Sequence, residues 1–257
     1  MRKNSSEYPL IQTRDGSHTV YSNQFDQHYH NPNGALSENK YVFFEQTGLP
    51  KALSTEKELS MLEVGFGTGL SLMLLLDYYR AANSKTTIDY YAVEGFPLTP
   101  KTVQHFNYGQ YLEHSEAAGT IEHIFSNLTA GMNHFNLNNG VQLHLFNGMF
   151  KNFNPPAVDF NYIFHDAFSP DANPGLWTGD VFKRLKQMSA TDVLLSTYCA
   201  ASKAQGALAW AGWKVAKARG ALGKREMILA ALDAEQLTGH KRINEKHYAR
   251  RYEAEDF

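Results

Sequence analysis

The feature that most constrains the fold is a glycine-rich stretch, Glu63-Val-Gly-Phe-Gly-Thr-Gly69, between a predicted strand and a predicted helix. Glycine lacks a Cβ, so it can adopt positive φ values and let the backbone approach a ligand closely. The helix that follows would present unpaired N–H groups at its start. A strand, a tight glycine turn and a helix predict one unit of a parallel α/β sheet.

The spacing of these glycines indicates the kind of ligand. It is Gly-x-Gly-x-Gly, whereas a dinucleotide-binding turn usually shows Gly-x-Gly-x-x-Gly. With an acid, Glu63, two residues before the first glycine, the pattern suits the zwitterionic methionine end of S-adenosylmethionine; a plain tight turn is the alternative. The predicted cofactor contacts in this turn are Glu63, Gly65, Phe66, Gly67, Thr68 and Gly69.

A regular alternation of strands and helices surrounds the turn. Strands are predicted at 59–64, 88–94, 141–146, 160–165 and 192–197, and helices at 71–82, across most of 101–138, and from 202 to about 211. Two further strand-like runs, 213–218 and 225–231, are joined by a loop that suits a hairpin rather than a crossover helix. The sequence therefore predicts an α/β, Rossmann-like fold. Its sheet would have seven mostly parallel strands and end in an antiparallel hairpin, the layout of class I S-adenosylmethionine-dependent methyltransferases.

The flanking segments are interpreted as additions to this sheet. Residues 1–58 are predicted to form an N-terminal extension packed on the core, with a short strand at 17–22 and a helix start or a second strand at 40–45. The methyltransferase domain is predicted to span 59–232, and residues 233–257 are predicted to form a C-terminal tail.

Glu94 ends the second predicted strand, at the sheet edge where open α/β folds bind ligands. A carboxylate there can accept two hydrogen bonds from a ribose diol, which both NAD and S-adenosylmethionine possess, so Glu94 predicts a nucleoside cofactor without choosing between the two. A solvated acid at a strand end is the alternative.

Asp166 follows the fourth predicted strand, in His165-Asp-Ala-Phe-Ser-Pro170. An acid, an aromatic residue and a proline at this point predict a rigid loop over the cofactor's sulfonium, with Asp166 and Phe168 as contacts. Asp166 is also predicted to hold a substrate amine and draw off its proton, because a primary alkyl amine is mostly protonated at pH 7. The alternative is that this aspartate only caps the loop backbone.

The charge balance argues against long, non-specific contact with nucleic acid. The chain has 24 basic and 26 acidic residues and a formal net charge of -2, so any RNA contact must come from a local patch. One stretch, between Asp192 and Glu226, has no acidic residue. Its basic residues, Lys203, Lys214, Lys217, Arg219, Lys224 and Arg225, predict either a phosphate-binding patch or a solvated charged face.

The number of cysteines and the length of the apolar runs indicate the cellular compartment of the protein. Cys199 is the only cysteine, so no internal disulfide can form. Residues 1–7 are polar, and the longest apolar run, 70–76, is far short of the roughly 20 residues of a membrane span. A soluble, cytoplasmic protein is expected. The eleven histidines, His28 and His30 included, form no ligand cluster, so no metal site is predicted.

Together these motifs resemble those of the tRNA 5-methylaminomethyl-2-thiouridine methyltransferase family. The family includes the stand-alone MnmD proteins and the methyltransferase half of the bifunctional MnmC proteins. The resemblance runs from about residue 25 to residue 231 and is carried by blocks 33–45, 63–70, 94–99, 166–177 and 220–227.

The resemblance implies an enzyme that uses S-adenosylmethionine to methylate the aminomethyl group of 5-aminomethyl-(2-thio)uridine at wobble position 34 of tRNA. Asp166 falls on the family's active-site aspartate, and Glu63, the three glycines and Glu94 fall on cofactor positions. The predicted contacts to the tRNA anticodon loop are Tyr29, Lys224 and Arg225. No flavin-binding oxidase follows the hairpin, so only the final methyl transfer is expected.

One departure concerns adenine recognition. After the third strand the family typically shows Gly-Asp, whereas this chain reads Asn147-Gly-Met149. Either Asn147 takes the place of the acid as a cofactor contact, or adenine is held more loosely. Two other functions stay open at this point: methylation of a small amine or hydroxyl metabolite, and a catalytically silent module that binds the cofactor or RNA.

Overall fold

A nine-stranded sheet with helices on both faces forms the body of the computed structural model, which describes residues 9–137 and 140–257. Two parts of the predictions lie outside the described residues: residues 1–8 of the predicted extension and residue 138 of the predicted helical stretch. The strands are β1 (Leu10–Gln12), β2 (His18–Ser22), β3 (Gln27–His28), β4 (Glu58–Val64), β5 (Thr87–Glu94), β6 (Gly131–Asn136), β7 (Val141–Asn147), β8 (Phe160–His165), β9 (Ser189–Thr197), β10 (Lys214–Arg219), β11 (Glu226–Ala231) and β12 (Lys241–Arg242). The helices are α1 (Ala35–Asn39), α2 (Leu49–Thr55), α3 (Leu70–Ala81), α4 (Pro100–Val103), α5 (Glu116–Ser126), α6 (Gly179–Gln187), α7 (Ser202–Trp210) and α8 (Glu245–Glu253).

The main sheet has the order β12-β10-β11-β9-β8-β4-β5-β7-β6. Five central strands, in the order β9-β8-β4-β5-β7, run parallel to one another. At the two ends of this group, β11 pairs antiparallel with β9 and β6 pairs antiparallel with β7. β10 and β11 form the predicted hairpin. The predicted fold class is therefore confirmed.

The predicted number of seven strands was wrong, because both edges carry a strand that the sequence does not signal. β6 pairs antiparallel with β7 inside a stretch that was predicted to be helical. β12 is two residues long and pairs with β10 from within the predicted tail. Edge strands this short or this polar have little periodicity of their own, so pairing with a neighbour decides their conformation. Helix α6 was also not predicted.

The core divides into two layers because successive strand residues point to opposite faces of the sheet. On β4, Met61 packs into the layer beneath α3, whereas its neighbour Leu62 packs into the layer beneath α6 and α7. α3 is apolar on nearly every side and is buried accordingly. The two layers hold the parallel strands in place, and with them the loops at their carboxyl ends.

The N-terminal segment packs across one end of this sheet. β1, β2 and β3 form a small antiparallel sheet, and α1 continues into a π-helical turn at Lys40–Glu45 that buries Phe43 and Phe44. Of the two predictions for residues 40–45, the helix was correct. Ser196 in β9 donates a hydrogen bond of 2.6 Å to the Val42 carbonyl, which ties the segment to the main sheet.

The C-terminal segment packs on the outside of α7. α8 packs on α7, and the Trp210 indole N–H donates to Glu253 at 3.2 Å. The division of the chain at residues 58 and 232 stays a prediction. In the described ranges, no helix is both long and apolar enough to cross a bilayer.

Candidate functional site

A cavity of about 610 Å³ opens at the carboxyl ends of the parallel strands. Its volume lies in the range of sites for small molecules and cofactors. The predicted site residues on its lining are Tyr29, Glu63, Gly65, Phe66, Gly67, Glu94, Asp166, Phe168 and Lys224. The fold therefore brings most of the candidates into one place.

The glycine turn, residues 63–69, depends on backbone conformations that only glycine adopts easily. Gly65, Gly67 and Gly69 have φ values of 99°, 55° and 76°. A Cβ on Gly65 would lie 2.7 Å from the Asp166 carbonyl oxygen, so the turn also needs a residue without a side chain there. These two constraints explain the spacing that the sequence shows.

Glu94 is held by the turn itself. The Gly67 N–H donates to one carboxylate oxygen at 2.8 Å, and the Phe96 N–H donates to the other at 2.7 Å. Burial raises the pKa of this carboxyl, and the backbone hydrogen bonds partly offset the effect. Each oxygen keeps a lone pair for a further donor, as a ribose diol requires.

Glu63 lies deeper in the cavity and is 1% exposed. The Tyr90 hydroxyl donates to its Oε2 at 2.9 Å. Burial raises the pKa of Glu63 to about 8, against the hydrogen bonds from Ser71 and Tyr90 and with a further contribution from the Glu94 charge. A cationic ligand beside Glu63 would therefore stabilise the ionised form of this carboxyl and lower its pKa.

Asn39 is a buried polar residue on the cavity that sequence reasoning missed. It is 3% exposed, and its Nδ2 donates to Ser71 Oγ at 3.0 Å. The hydrogen bond to Ser71 uses the amide nitrogen and leaves Oδ1 as the free end of the side chain. Within the described residues, Asn39 Oδ1 has no hydrogen-bond partner. A buried acceptor of this kind suits an N–H donor on a ligand.

Asp166 stands at the end of β8, directly across from the glycine turn. Its backbone N–H donates to the Val64 carbonyl at 3.0 Å, which leaves the side chain to face the cavity. The pKa of Asp166 is raised well above its usual value by burial first and then by the Glu63 and Glu38 charges, while Lys224 lowers it. The raised pKa means that the ionised form of Asp166 binds a proton more tightly than an ordinary aspartate does.

The loop after Asp166 is held by hydrogen bonds from two aromatic side chains. The Trp177 indole N–H donates to the Phe168 carbonyl at 2.7 Å, and the Tyr198 hydroxyl donates to the Ala167 carbonyl at 2.8 Å. The His165 ring packs on Trp177 with centroids 4.4 Å apart. Burial lowers the pKa of His165 to about 4, so this histidine is neutral and structural.

An aromatic roof, formed by Phe25, Tyr29, Phe96 and Phe168, covers the cavity. The Phe25 ring stacks on Phe168 at 4.5 Å and meets Phe96 edge-on at 5.2 Å. Ser169 reinforces the roof, since its hydroxyl donates to the Gln27 side-chain oxygen at 2.8 Å. The N-terminal segment thus supplies the side of the site that faces the sheet.

Four predicted site residues do not line the cavity. Thr68 is buried and bonded to His30 at 2.7 Å, and Gly69 precedes the first turn of α3. Asn147 donates to the Thr129 carbonyl at 3.2 Å, and the side chain that faces the cavity nearby is Met149. Arg225 is exposed in the β10–β11 loop. Their predicted roles stay predictions.

The basic stretch does not form one continuous patch. Lys217 pairs with Glu226 at 2.8 Å, and Lys224 pairs with Glu38 at 2.6 Å. Lys214 and Arg219 begin and end β10, so they are separated by the length of the strand. Of the six basic residues in this stretch, Lys224 alone lines the cavity.

S-adenosylmethionine has an ammonium group, a sulfonium and a ribose diol, and the cavity offers partners for each. The charged lining is mostly acidic, with Glu38, Glu63, Glu94, Asp166 and Asp180 against Lys151, Arg184 and Lys224. The glycine turn lets a ligand approach the backbone closely, Asn39 offers a free acceptor, and each Glu94 oxygen keeps a lone pair for a further donor. The residues present therefore fit this cofactor. No group of three or more potential ligands in the described ranges could hold a metal ion.

Comparison with known proteins agrees with this fit. Residues 112–233 match the family described as S-adenosyl-L-methionine-dependent methyltransferase. The tRNA 5-methylaminomethyl-2-thiouridine biosynthesis bifunctional protein MnmC of Aromatoleum aromaticum is 31% identical over 221 residues, which are 85% of this chain and 34% of that protein. The protein of the same name from Leptospira borgpetersenii is 29% identical over 215 residues, covering 82% of this chain and 33% of the relative. The chain thus spans about a third of the length of these relatives.

A crystal structure of MNMC2 from Aquifex aeolicus shares the fold. It superposes with a TM-score of 0.73 at 23% sequence identity, over 97% of this chain and 77% of that chain.

Proposed function

We propose that this chain is an S-adenosyl-L-methionine-dependent methyltransferase and that it methylates the aminomethyl group of 5-aminomethyl-(2-thio)uridine at tRNA position 34. The product would be 5-methylaminomethyl-(2-thio)uridine. The observation that carries the proposal is the Asp166 carboxyl, which faces the cavity beside the glycine turn and has a raised pKa. The names of the relatives support the choice of substrate.

The carboxyl groups beside the glycine turn, together with Asn39 of the N-terminal segment, would hold the cofactor. Glu94 would accept hydrogen bonds from the ribose hydroxyls, and Glu63 and Asn39 would face the methionine ammonium. When bound, S-adenosylmethionine supplies an electrophilic methyl group on its sulfonium. The acidic lining favours this cationic molecule over its neutral analogues.

Asp166 would act as the proton acceptor. The amine of the substrate is mostly protonated at neutral pH, and only its neutral form has a free electron pair for attack. The raised pKa of Asp166 makes its carboxylate a stronger base than an ordinary aspartate. The proton would move from the substrate nitrogen to a carboxylate oxygen of Asp166 and then to solvent.

The aromatic roof would exclude water and position the nucleotide. Sequence-specific RNA recognition usually works on exposed loop bases that stack on aromatic side chains. We therefore expect the wobble nucleotide to turn out of the anticodon loop and enter beneath the roof. Catalysis would then come mainly from positioning and desolvation.

The proposal is tested by incubating the full chain and labelled S-adenosylmethionine with tRNA that lacks the final methyl group, followed by mass spectrometry of nucleosides. We expect one added methyl on the wobble nucleoside with the wild type and none with Asp166→Ala. Binding of S-adenosylhomocysteine to both proteins controls for folding. Cofactor binding without any transfer to tRNA would reject this substrate, and transfer to a small amine under the same conditions would replace it.

A further inference from the structure

An ion pair lies on the wall of the cavity, where two distant parts of the chain meet. Lys224 Nζ, in the β10–β11 loop, lies 2.6 Å from Glu38 Oε1 in α1. The Glu38 side chain is 13% exposed and that of Lys224 is 40% exposed. Asn31 also donates to the same carboxylate oxygen at 3.0 Å. Glu38 is therefore fixed in place, whereas Lys224 reaches it from the rim.

This pair acts directly on the proposed proton acceptor. The Glu38 charge raises the pKa of Asp166, and the Lys224 charge lowers it. Both residues line the same cavity as Asp166. If Lys224 left the wall, two neighbouring carboxyl groups would lose a compensating cation, and another cation would be favoured in its place.

The end of the lysine side chain and the substrate have the same chemistry here. Each presents a primary ammonium group on a methylene carbon. The contact with Lys224 shows that the Glu38 carboxylate, in this position beside Asn31, accepts such a group. The cavity thus contains a site for an alkyl ammonium that a side chain of the protein fills.

We propose that Glu38 binds the ammonium of the incoming aminomethyl nucleotide, and that Lys224 occupies this site until the substrate displaces it. The inference rests on the proposed function. Glu38 determines specificity by recognising the cation, and Asp166 then takes the proton. While paired with Glu38, Lys224 Nζ also overlies the Tyr198 ring at 5.1 Å. Once displaced, Lys224 turns toward the rim, where a backbone phosphate of the same RNA can bind it.

The alternative is that the pair only fastens the β10–β11 loop to the N-terminal segment. Leu222 at the tip of this loop also lies against Gly34, since a Cβ on that glycine would be 3.2 Å from Leu222 Cδ1. A fastening role predicts that removing either charge has the same effect. Displacement predicts that selectivity is lost only in the Glu38 variant, because that variant removes the site whereas the Lys224 variant removes its competitor.

The test compares two anticodon stem-loop RNAs, one with 5-aminomethyluridine and one with uridine at the wobble position. The full chain, saturated with S-adenosylhomocysteine, is titrated with each RNA, and the ratio of the two dissociation constants measures selectivity. For the wild type we expect a ratio of about ten, the size of one charge-assisted hydrogen bond. Glu38→Gln should bring the ratio close to one. Lys224→Met should keep or increase it, although both RNAs then bind about threefold more weakly.

A ratio that falls equally in Glu38→Gln and Lys224→Met would overturn the proposal while leaving the proposed function intact. A wild type that binds neither RNA, or binds both equally, would overturn the proposed substrate and this inference with it. Unchanged affinity for S-adenosylhomocysteine shows that each variant is folded. Should Glu38→Gln not fold, Glu38→Asp keeps the charge on a shorter side chain, and a ratio between one and that of the wild type is expected.

Discussion

The glycine turn and the aromatic roof face each other across one cavity, yet they are built by different kinds of interaction. The turn is a short continuous segment shaped by backbone conformation, and its partner Glu94 is held by two backbone N–H groups. The roof consists of side chains from three separate segments, which contact one another through ring packing and are joined by the Gln27–Ser169 hydrogen bond. We therefore expect small substitutions in the turn to weaken cofactor binding strongly, whereas substitutions in the roof should have smaller effects.

The largest effect is expected from Gly65→Ala. The new Cβ would meet the Asp166 backbone, and alanine is strained at this positive φ, so affinity for S-adenosylhomocysteine should fall about a hundredfold or more. Isothermal titration calorimetry measures the loss. Gly48→Ala is the matched control, because Gly48 also has positive φ but open space around it, and it should lower stability by roughly 1 kcal/mol without changing affinity. Equal affinities for both variants would contradict the rigid turn.

Next in size is the effect of Glu63→Gln on the pH dependence of stability. The pKa of Glu63 is about 8 in the folded protein, above its usual value of 4.5. Between these values the folded state keeps a proton that the unfolded state has lost. The free energy of unfolding should therefore fall as pH rises, by up to about 1.4 kcal/mol per pH unit.

Glutamine cannot ionise, so Glu63→Gln should gain stability relative to the wild type from pH 5 to pH 8. Urea denaturation at several pH values measures the difference. The exposed residue Glu235 provides the control, since Glu235→Gln should follow the wild-type curve. Parallel curves for Glu63→Gln and the wild type would show that burial of Glu63 does not affect its ionisation.

A smaller effect is expected from Asn39, a side chain of α1 that donates to Ser71 in α3, just after the glycine turn. Asn39→Leu removes the free acceptor and should weaken binding of S-adenosylhomocysteine about tenfold, the loss of one hydrogen bond to a charged group. Binding of 5′-methylthioadenosine, which has no amino acid part, should change less than about twofold. Asn39→Asp keeps an acceptor oxygen and should retain the preference. An equal loss for both ligands would mean that Asn39 acts on the shape of the cavity alone.

The smallest effect should come from the roof. Phe25→Ala removes one stacked and one edge-on aromatic contact, so S-adenosylhomocysteine should dissociate about fivefold faster. Stopped-flow displacement measures the rate. Phe257→Ala, which removes a stacked pair with Tyr248 on α8, controls for the general loss of an aromatic contact and should leave the rate unchanged. A loss as large as that of Gly65→Ala would remove the distinction between turn and roof.

The parts of the molecule that could be predicted from the sequence are those with local signals. The five central strands and α3 were found because their periodicity and their glycine boundary lie within a few residues. β6 was not found, because its polar sequence becomes a strand only by pairing with β7. Asn147 was chosen from its place in a motif, but the direction of its side chain depends on the edge strand beside it.

The sequence by itself determined the α/β alternation, the glycine turn and the carboxylates Glu94 and Asp166 at strand ends. The reason is that backbone preference and strand periodicity are properties of neighbouring residues. Only the tertiary structure decided which side chains complete the site. From the sequence, Lys224 is expected to be a free cation, but in the structure it pairs with Glu38. From the sequence, Asn39 is a polar residue before a predicted helix, but in the structure it faces the cavity. Such partnerships require segments far apart in the chain to pack together, and burial then sets their charge and hydrogen bonding.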